Sequence, residues 1–208
     1  MEESAKQQPA TFTDFLRVRF KGVLDPIGRF LNSLGLMPNV MTIMGLVGNI
    51  GAAYLLAMGH ITWGGIVVLL MGPIDALDGT MARLRGQPSR FGAFVDSVTD
   101  RYSELVILLG LLVYYLRAGD ALFAGLIYLA AAGSVLVSYV KARAEALNFE
   151  AKVGLLTRVE RYLIMAPCLI FNIPKVAIVI LAVFANITAF QRILAVRKQA
   201  YEQNAVHK

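Results

Sequence analysis

Cysteine is nearly absent from this chain: Cys168 is the only one, and it sits inside an apolar run, so no internal disulfide can form and an inert buried thiol is expected. Histidine is almost as scarce. His60 falls at an expected loop and His207 beside the C-terminus, with no Cys or His partner at ligand spacing, which excludes a zinc site of the usual kind. Charge is also thin, at 16% of residues, while 57% are hydrophobic and the mean hydropathy is +0.62. A soluble core of this size cannot bury that much apolar surface, since ordinary domains run at roughly 45–50% apolar. Lipid is the expected solvent for the excess. The N-terminus reads Met-Glu-Glu-Ser-Ala-Lys, polar and acidic where a signal peptide is basic and then apolar, so insertion is expected to rely on the spans themselves.

What is present is a series of six apolar segments, each near the ~20 residues that cross a bilayer as a helix. They cover residues 40–58, 61–84, 90–116, 121–143, 155–171 and 174–196. Tight connections at Gly59-His60, residues 86–89, Ala118-Gly119-Asp120 and Asn172-Ile173 fit helix hairpins. The expectation is an all-α integral membrane protein of six transmembrane helices, with no internal repeat and no second soluble domain. The net charge of +6 lacks the basic tracts and interleaved aromatics of a nucleic-acid groove, and fits anionic headgroups and inner-face loops better. Arg83, Arg85 and Arg90 flank the second connection, and Lys141, Arg143, Lys152 and Arg158 the fourth. This bias places both termini and those two connections in the cytoplasm of a multi-pass cell-membrane protein.

Ahead of the first span, Leu16, Phe20, Val23, Leu24, Ile27, Leu31 and Leu34 recur at helical spacing among Arg17, Arg19, Lys21 and Arg29. That pattern is expected to form a cytoplasmic amphipathic helix in the membrane interface, the alternative being a helix packed on the protein. Pro26 is expected to break it in two, with Asp25 as N-cap. The organisation is then residues 1–36 as tail and interfacial helix, 37–198 as the six-helix domain, and 199–208 as a C-terminal tail.

Acids inside membrane spans are costly, and functional by default. Here Asp75 and Asp78 lie three apart in the second span, and Asp96 and Asp100 four apart in the third, so each pair shares a helix face. Antiparallel helices with a short turn bring all four toward one end. Ion pairing with Arg83, Arg85 or Arg101 is the bland explanation; four acids at two regular spacings, with Gly79 and Gly92 interleaved, favour a site. Carboxylates so close need divalent counter-charge, and oxygen-only donors select Mg²⁺, Mn²⁺ or Ca²⁺ over zinc.

The string Asp75-x-x-Asp78-Gly79-x-x-Ala82-Arg83, eight residues, then Gly92-x-x-x-Asp96-x-x-x-Asp100 resembles the signature of the CDP-alcohol phosphotransferases at every fixed position. The resemblance implies that Asp75, Asp78, Asp96 and Asp100 hold two divalent ions, Mg²⁺ or Mn²⁺, against the pyrophosphate of a CDP-linked lipid. It implies that Asp100 is also the base for the acceptor hydroxyl. Gly79, Ala82, Arg83 and Gly92 would line the cytidine and phosphate pocket, and a homodimer is implied as well. The later pattern SYVKARAE, G-x-x-x-R-x-E-R and Gln191-Arg192 resembles the prokaryotic phosphatidylinositol-phosphate synthases within that family. That likeness implies CDP-diacylglycerol as donor, inositol phosphate as acceptor, and Lys141, Arg158, Arg161 and Arg192 as acceptor ligands. Arg143, Arg197 and Lys198 fit plain flanking charge. Phosphatidylglycerol-phosphate synthase is the rival within the family, and a cation-coupled transporter the remote alternative.

Overall fold

The computed structural model describes residues 12–86 and 89–206, with side chains from residue 21 to residue 203 apart from that gap. Expectations that rest on the first eleven residues, on the side chains of Leu16, Arg17, Arg19 and Phe20, or on His207 lie outside the described residues. Seven helices follow in order: α1 (Phe12–Ser33), α2 (Pro38–Ala57), α3 (Ile61–Leu84), α4 (Arg90–Arg117), α5 (Ala121–Ala146), α6 (Arg158–Ile170) and α7 (Pro174–Val206). Among the described residues there is no strand. Of the seven, α2, α3, α5 and α7 are long and apolar enough to cross a membrane. Their outward faces are apolar, with Val47, Tyr54, Trp63, Leu70, Tyr128 and Phe190 all exposed, as lipid-facing side chains should be. This is a membrane protein.

The helix ends follow from local chemistry. After α2, Gly59 takes a positive φ of 85° and the His60 N–H returns to the Leu55 carbonyl; after α4, Gly119 at 71° lets the Asp120 N–H reach Tyr115. These six-to-one closures satisfy carbonyls that a helix end leaves orphaned, and favour glycine because the left-handed conformation has no Cβ penalty there. Asn172, at φ 57°, ends α6 in the same way.

Two expectations are corrected. Pro26 does not divide the first helix, and Asp25 is not a cap: α1 runs unbroken through both. Proline removes only the bond to the carbonyl of Gly22, and Gly22 stands in open surroundings where that carbonyl can be solvated. The fifth apolar segment is helical only over Arg158–Ile170, 13 residues, since residues 151–157 form an irregular approach. At 1.5 Å per residue it spans about 20 Å, short of a hydrocarbon core of about 30 Å. The last helix, conversely, runs well beyond residue 196. Gln199 anchors the extension by exchanging two hydrogen bonds with the Glu150 backbone, at 2.9 and 2.6 Å.

The main core gathers Leu56, Val68, Leu108, Leu111, Ile127, Leu169, Ile178 and Leu181 from α2 to α7. A smaller one joins Met41, Leu77 and Met81 to Leu24 and Leu31 of α1, which packs on α3 while Val23, Ile27, Phe30 and Leu34 stay exposed. α3 and α4 each pack on α2 more than on one another, and α6 packs on α3 and α7. Small residues allow these approaches. A Cβ on Gly65 would strike Leu169, and one on Gly110 the Ala53 backbone, whereas Gly51 faces open space.

At the opposite end from the acids, Asp120 caps α5 by accepting from the Phe123 N–H at 3.3 Å, and takes Lys175 Nζ at 3.0 Å. The hydrogen bond from Lys175, helped by that from Phe123, holds the Asp120 carboxyl below its ordinary range. A depressed folded value means that the cap stabilises above the unfolded carboxyl range and is lost as pH falls through the folded one. Amide protection at the first turn of α5, taken relative to unprotected exchange at each pH, is therefore expected to fall on acidification, and to be already low and pH-insensitive in Asp120→Ala.

Candidate active site

Four aspartates face a common gap whose floor is α2. On α3, Asp78 is buried and accepts from Thr42 Oγ1 of α2 at 2.6 Å and from the Gly79 N–H. One turn earlier, Asp75 lies directly over Gly45 of α2, where any Cβ would overlap its Oδ1. On α4, Asp100 is 8% exposed and Asp96 half-buried; Asp96 stands within Coulombic reach of Asp75, Asp78 and Asp100, and makes no hydrogen bond to a described residue. The sequence spacing alone placed each pair on one face. The structure adds that α2, through Thr42 and Gly45, holds the α3 pair in place, while α4 packs on the same helix.

Arg158 enters this gap from α6. Its Nη2 lies 2.9 Å from Asp75 Oδ2 and 2.6 Å from Asp100 Oδ1, a single cationic nitrogen shared by acids of two helices. Arg101 adds a longer contact to Asp100 at 3.3 Å. Because Arg158 wedges between Asp75 and Asp100 while Asp78 bonds to Thr42, no three acidic, imidazole or thiol side chains among the described residues form a closed metal cage. The donor set nevertheless fits hard divalent cations. It is all oxygen, four carboxylates outnumber the two guanidinium groups beside them, and Asp96 is unpaired.

Around the gap, Gly79 is nearly open, with only Arg83 Nη1 at 3.6 Å from where its Cβ would be, so a ligand can approach the α3 backbone there. Arg83 itself is exposed and bonds Thr80 Oγ1 at 2.9 Å; Ala82 is half-buried beside it. Gly92 donates to Ser89 Oγ, the N-cap of α4, and a Cβ there would crowd that hydroxyl.

The four expected acceptor cations separate into different environments. Arg158 belongs to the aspartate cluster. Arg161, 2% exposed, forms a two-pronged pair with Glu104 of α4, Nε to Oε1 at 2.6 Å and Nη2 to Oε2 at 2.9 Å. Arg192, also buried, braces α7 to the Val153 carbonyl at 2.9 Å and to Val137 of α5 at 2.6 Å, and remains within Coulombic reach of Arg161. Lys141 is half-exposed and pairs loosely with Glu145 at 3.8 Å.

A cavity of about 60 Å³ adjoins Asp75 and Asp100, with Asn49, Ser103, Glu104 and Arg161 as polar lining and Val68, Ile107, Met165 and Leu181 as apolar lining. On the lipid side of Gly48, a larger apolar groove of about 620 Å³ is lined by Met37, Val40, Met44, Val47, Met71 and Ile74. Sequence reasoning missed Thr42, Gly45's contact with Asp75, Glu104 and Tyr162. Glu104 was findable: it is an acid inside an apolar segment, four residues after Asp100, where a helix puts it on the same face. Tyr162 was not. Its hydroxyl reaches the Leu69 carbonyl at 2.7 Å, the one that Pro73 leaves without its helical donor, and only tertiary packing reveals that.

The chain as a whole is similar to several known proteins. An archaetidylinositol phosphate synthase of Pyrococcus horikoshii is 36% identical over 185 residues, 88% of this chain and 96% of that protein. A phosphatidylinositol phosphate synthase of Streptomyces avermitilis is 36% identical over 212 residues, 94% and 86% of the two chains. Among solved structures, the Mycobacterium tuberculosis phosphatidylinositol phosphate synthase with CDP-DAG bound superposes with a TM-score of 0.79 at 34% identity, covering 84% of this chain and 93% of that one. The same enzyme in complex with manganese and citrate gives 0.78 at 33%. Residues 35–196, which contain every aspartate and arginine of the gap, match the family model for CDP-alcohol phosphatidyltransferase. With that match and those relatives, the chain belongs to the CDP-alcohol phosphatidyltransferase family.

Proposed function

We propose that this enzyme transfers the phosphatidyl group of CDP-diacylglycerol, or of its ether-lipid counterpart, to inositol phosphate, releasing CMP. The observation that carries the reading is the meeting of Asp75 and Asp78 with Asp96 and Asp100 across α2, with Arg158 between them. Asp75, Asp78, Asp96 and Asp100 would hold two divalent cations, Mg²⁺ or Mn²⁺, which when bound neutralise the pyrophosphate and the departing CMP. Gly79, Ala82, Arg83 and Gly92 border the cytidine and phosphate groups, and the apolar groove beside Gly48 suits the acyl chains of the donor.

The reaction is an exchange at the lipid-bearing phosphorus. The acceptor hydroxyl oxygen bonds to it, the pyrophosphate P–O bond breaks, and CMP leaves with that electron pair. The hydroxyl proton passes to Asp100, whose carboxylate is desolvated and reaches the same gap. Arg158 faces the acceptor's phosphate from α6, with Arg161, Arg192 and Lys141 adding positive charge behind it. In the full reading α4 also crosses the membrane, and α6 completes a sixth span only together with the irregular residues 151–157 that lead into it. The termini and the site lie on the cytoplasmic side, α1 rests in the interface on its exposed apolar face, residues 37–198 are the catalytic domain, and the enzyme works as a homodimer.

The acceptor is the sharpest point to test. Purified protein with Mg²⁺ and CDP-diacylglycerol is offered inositol phosphate, inositol, glycerol 3-phosphate and serine in parallel. CMP release and a phosphatidylinositol phosphate product are expected with the first only. Turnover confined to glycerol 3-phosphate would instead make this a phosphatidylglycerol-phosphate synthase.

A further inference from the structure

The backbones of α4 and α6 scarcely approach one another; α6 rests on α3 and α7, and α4 on α2 and α5. Two side-chain pairs, one helical turn apart, link α4 to α6. Asp100 takes Arg158, and Glu104, four residues on, takes Arg161, three residues on. The inner pair is the better made. Both Glu104 oxygens are engaged in parallel, Arg161 is 2% exposed, and its Nη1 also donates to the Leu156 carbonyl at 3.2 Å, tying down the irregular approach to α6. The outer pair is a single nitrogen on a side chain 41% exposed. A rigid two-pronged pair beneath a looser one sets where the looser one can reach.

We propose that Glu104 is a positioning residue: through Arg161 it fixes the register of α6 against α4 and so delivers Arg158 to the space between Asp75 and Asp100. Tyr162 completes the docking from the next position, its hydroxyl on the α3 carbonyls of Val68 and Leu69. The small residue at Gly72 makes room for that ring, since a Cβ there would overlap the tyrosine oxygen. Below the pairs, Met165, Ala166 and Leu169 of α6 join the main apolar core, so loss of the ion pair is expected to shift the outer end of α6 rather than release the helix.

This proposal rests on the assignment of Arg158 to the acceptor, so its test separates the two. CMP release by the purified full chain gives kcat and KM for CDP-diacylglycerol and for inositol phosphate. For Glu104→Gln, kcat/KM for inositol phosphate is expected to fall about 30-fold, within the range of coupled neighbours, while the KM for the lipid changes less than about 3-fold. In an Arg158→Lys background the same substitution is expected to cost less than about 3-fold, because the group it positions is already displaced. Glu104→Asp, which keeps the charge, should recover part of the loss. If Glu104→Gln yields no monodisperse protein, Glu104→Asp and Arg161→Lys are carried through the same cycle. Full activity in Glu104→Gln, equal losses for both substrates, or losses that multiply with a costly Arg158→Lys would overturn the positioning role alone. An Arg158→Lys enzyme as active as the parent would overturn the assignment of Arg158 and the proposal with it.

Discussion

Replacing Asp100 by Asn is expected to lower kcat by about 10²–10⁴-fold, the usual worth of a positioned base, while CDP-diacylglycerol still binds. Size and hydrogen-bonding shape are preserved, so the loss isolates the charge and the proton acceptor. Asp100 is the buried acid that Arg158 and Arg101 both reach, and Arg158 connects it to Asp75 on the neighbouring helix. An amide there can still hold the guanidinium by its oxygen, but it cannot take up a proton from the acceptor. Donor affinity, measured by equilibrium binding of the CDP-lipid, should change by less than about tenfold because three carboxylates remain. Full turnover by Asp100→Asn would remove the base assignment.

The second large effect is expected on a helix that carries no charge in the site. Gly45 of α2 sits under Asp75, and even an alanine Cβ would occupy the position of the carboxylate oxygen. α2 is packed on α3 along its length and cannot simply retreat, so Asp75 must swing away from Arg158 and from Asp96. A displacement of about 1 Å in such a cluster costs roughly 10²-fold in rate. Gly45→Ala should therefore lose about two orders of magnitude in kcat with its helical content and monodispersity intact. Gly51→Ala, on the same helix but facing open space, is the control and should stay within about twofold, since added surface methyls have little effect. Equal activity of the two variants would show that the close approach at Gly45 has no catalytic consequence.

These two positions also show how far the sequence could be read. Asp75, Asp78, Asp96 and Asp100 announce themselves because acids in apolar helices are rare, and the 3.6-residue period fixes which of them share a face. The turns at Gly59 and Gly119 are equally local, and fall where the composition puts them. Gly45 and Gly51, by contrast, look alike in sequence and differ only in what the third dimension sets against them. Arg161 and Arg192 carry the same ambiguity. A cation in an apolar segment can serve a ligand or a carbonyl, and here Arg192 is held by Val137 and Val153, Arg161 by Glu104. Pro26 misled because its cost depends on whether the freed Gly22 carbonyl meets water, which the surroundings of Gly22 decide.

Family membership defines the chemistry to look for, and the four aspartates are the residues proposed to perform it. The most direct measurement is CMP release from CDP-diacylglycerol by the purified protein in sealed vesicles, with inositol phosphate and Mg²⁺ each present or withheld. Metal-dependent transfer on the four aspartates requires both, so CMP should appear only when the two are supplied together, and Asp100→Asn should lower its rate by about 10²–10⁴-fold. CMP formed without acceptor, or passage of substrate across the vesicle with no CMP at all, would contradict the assignment.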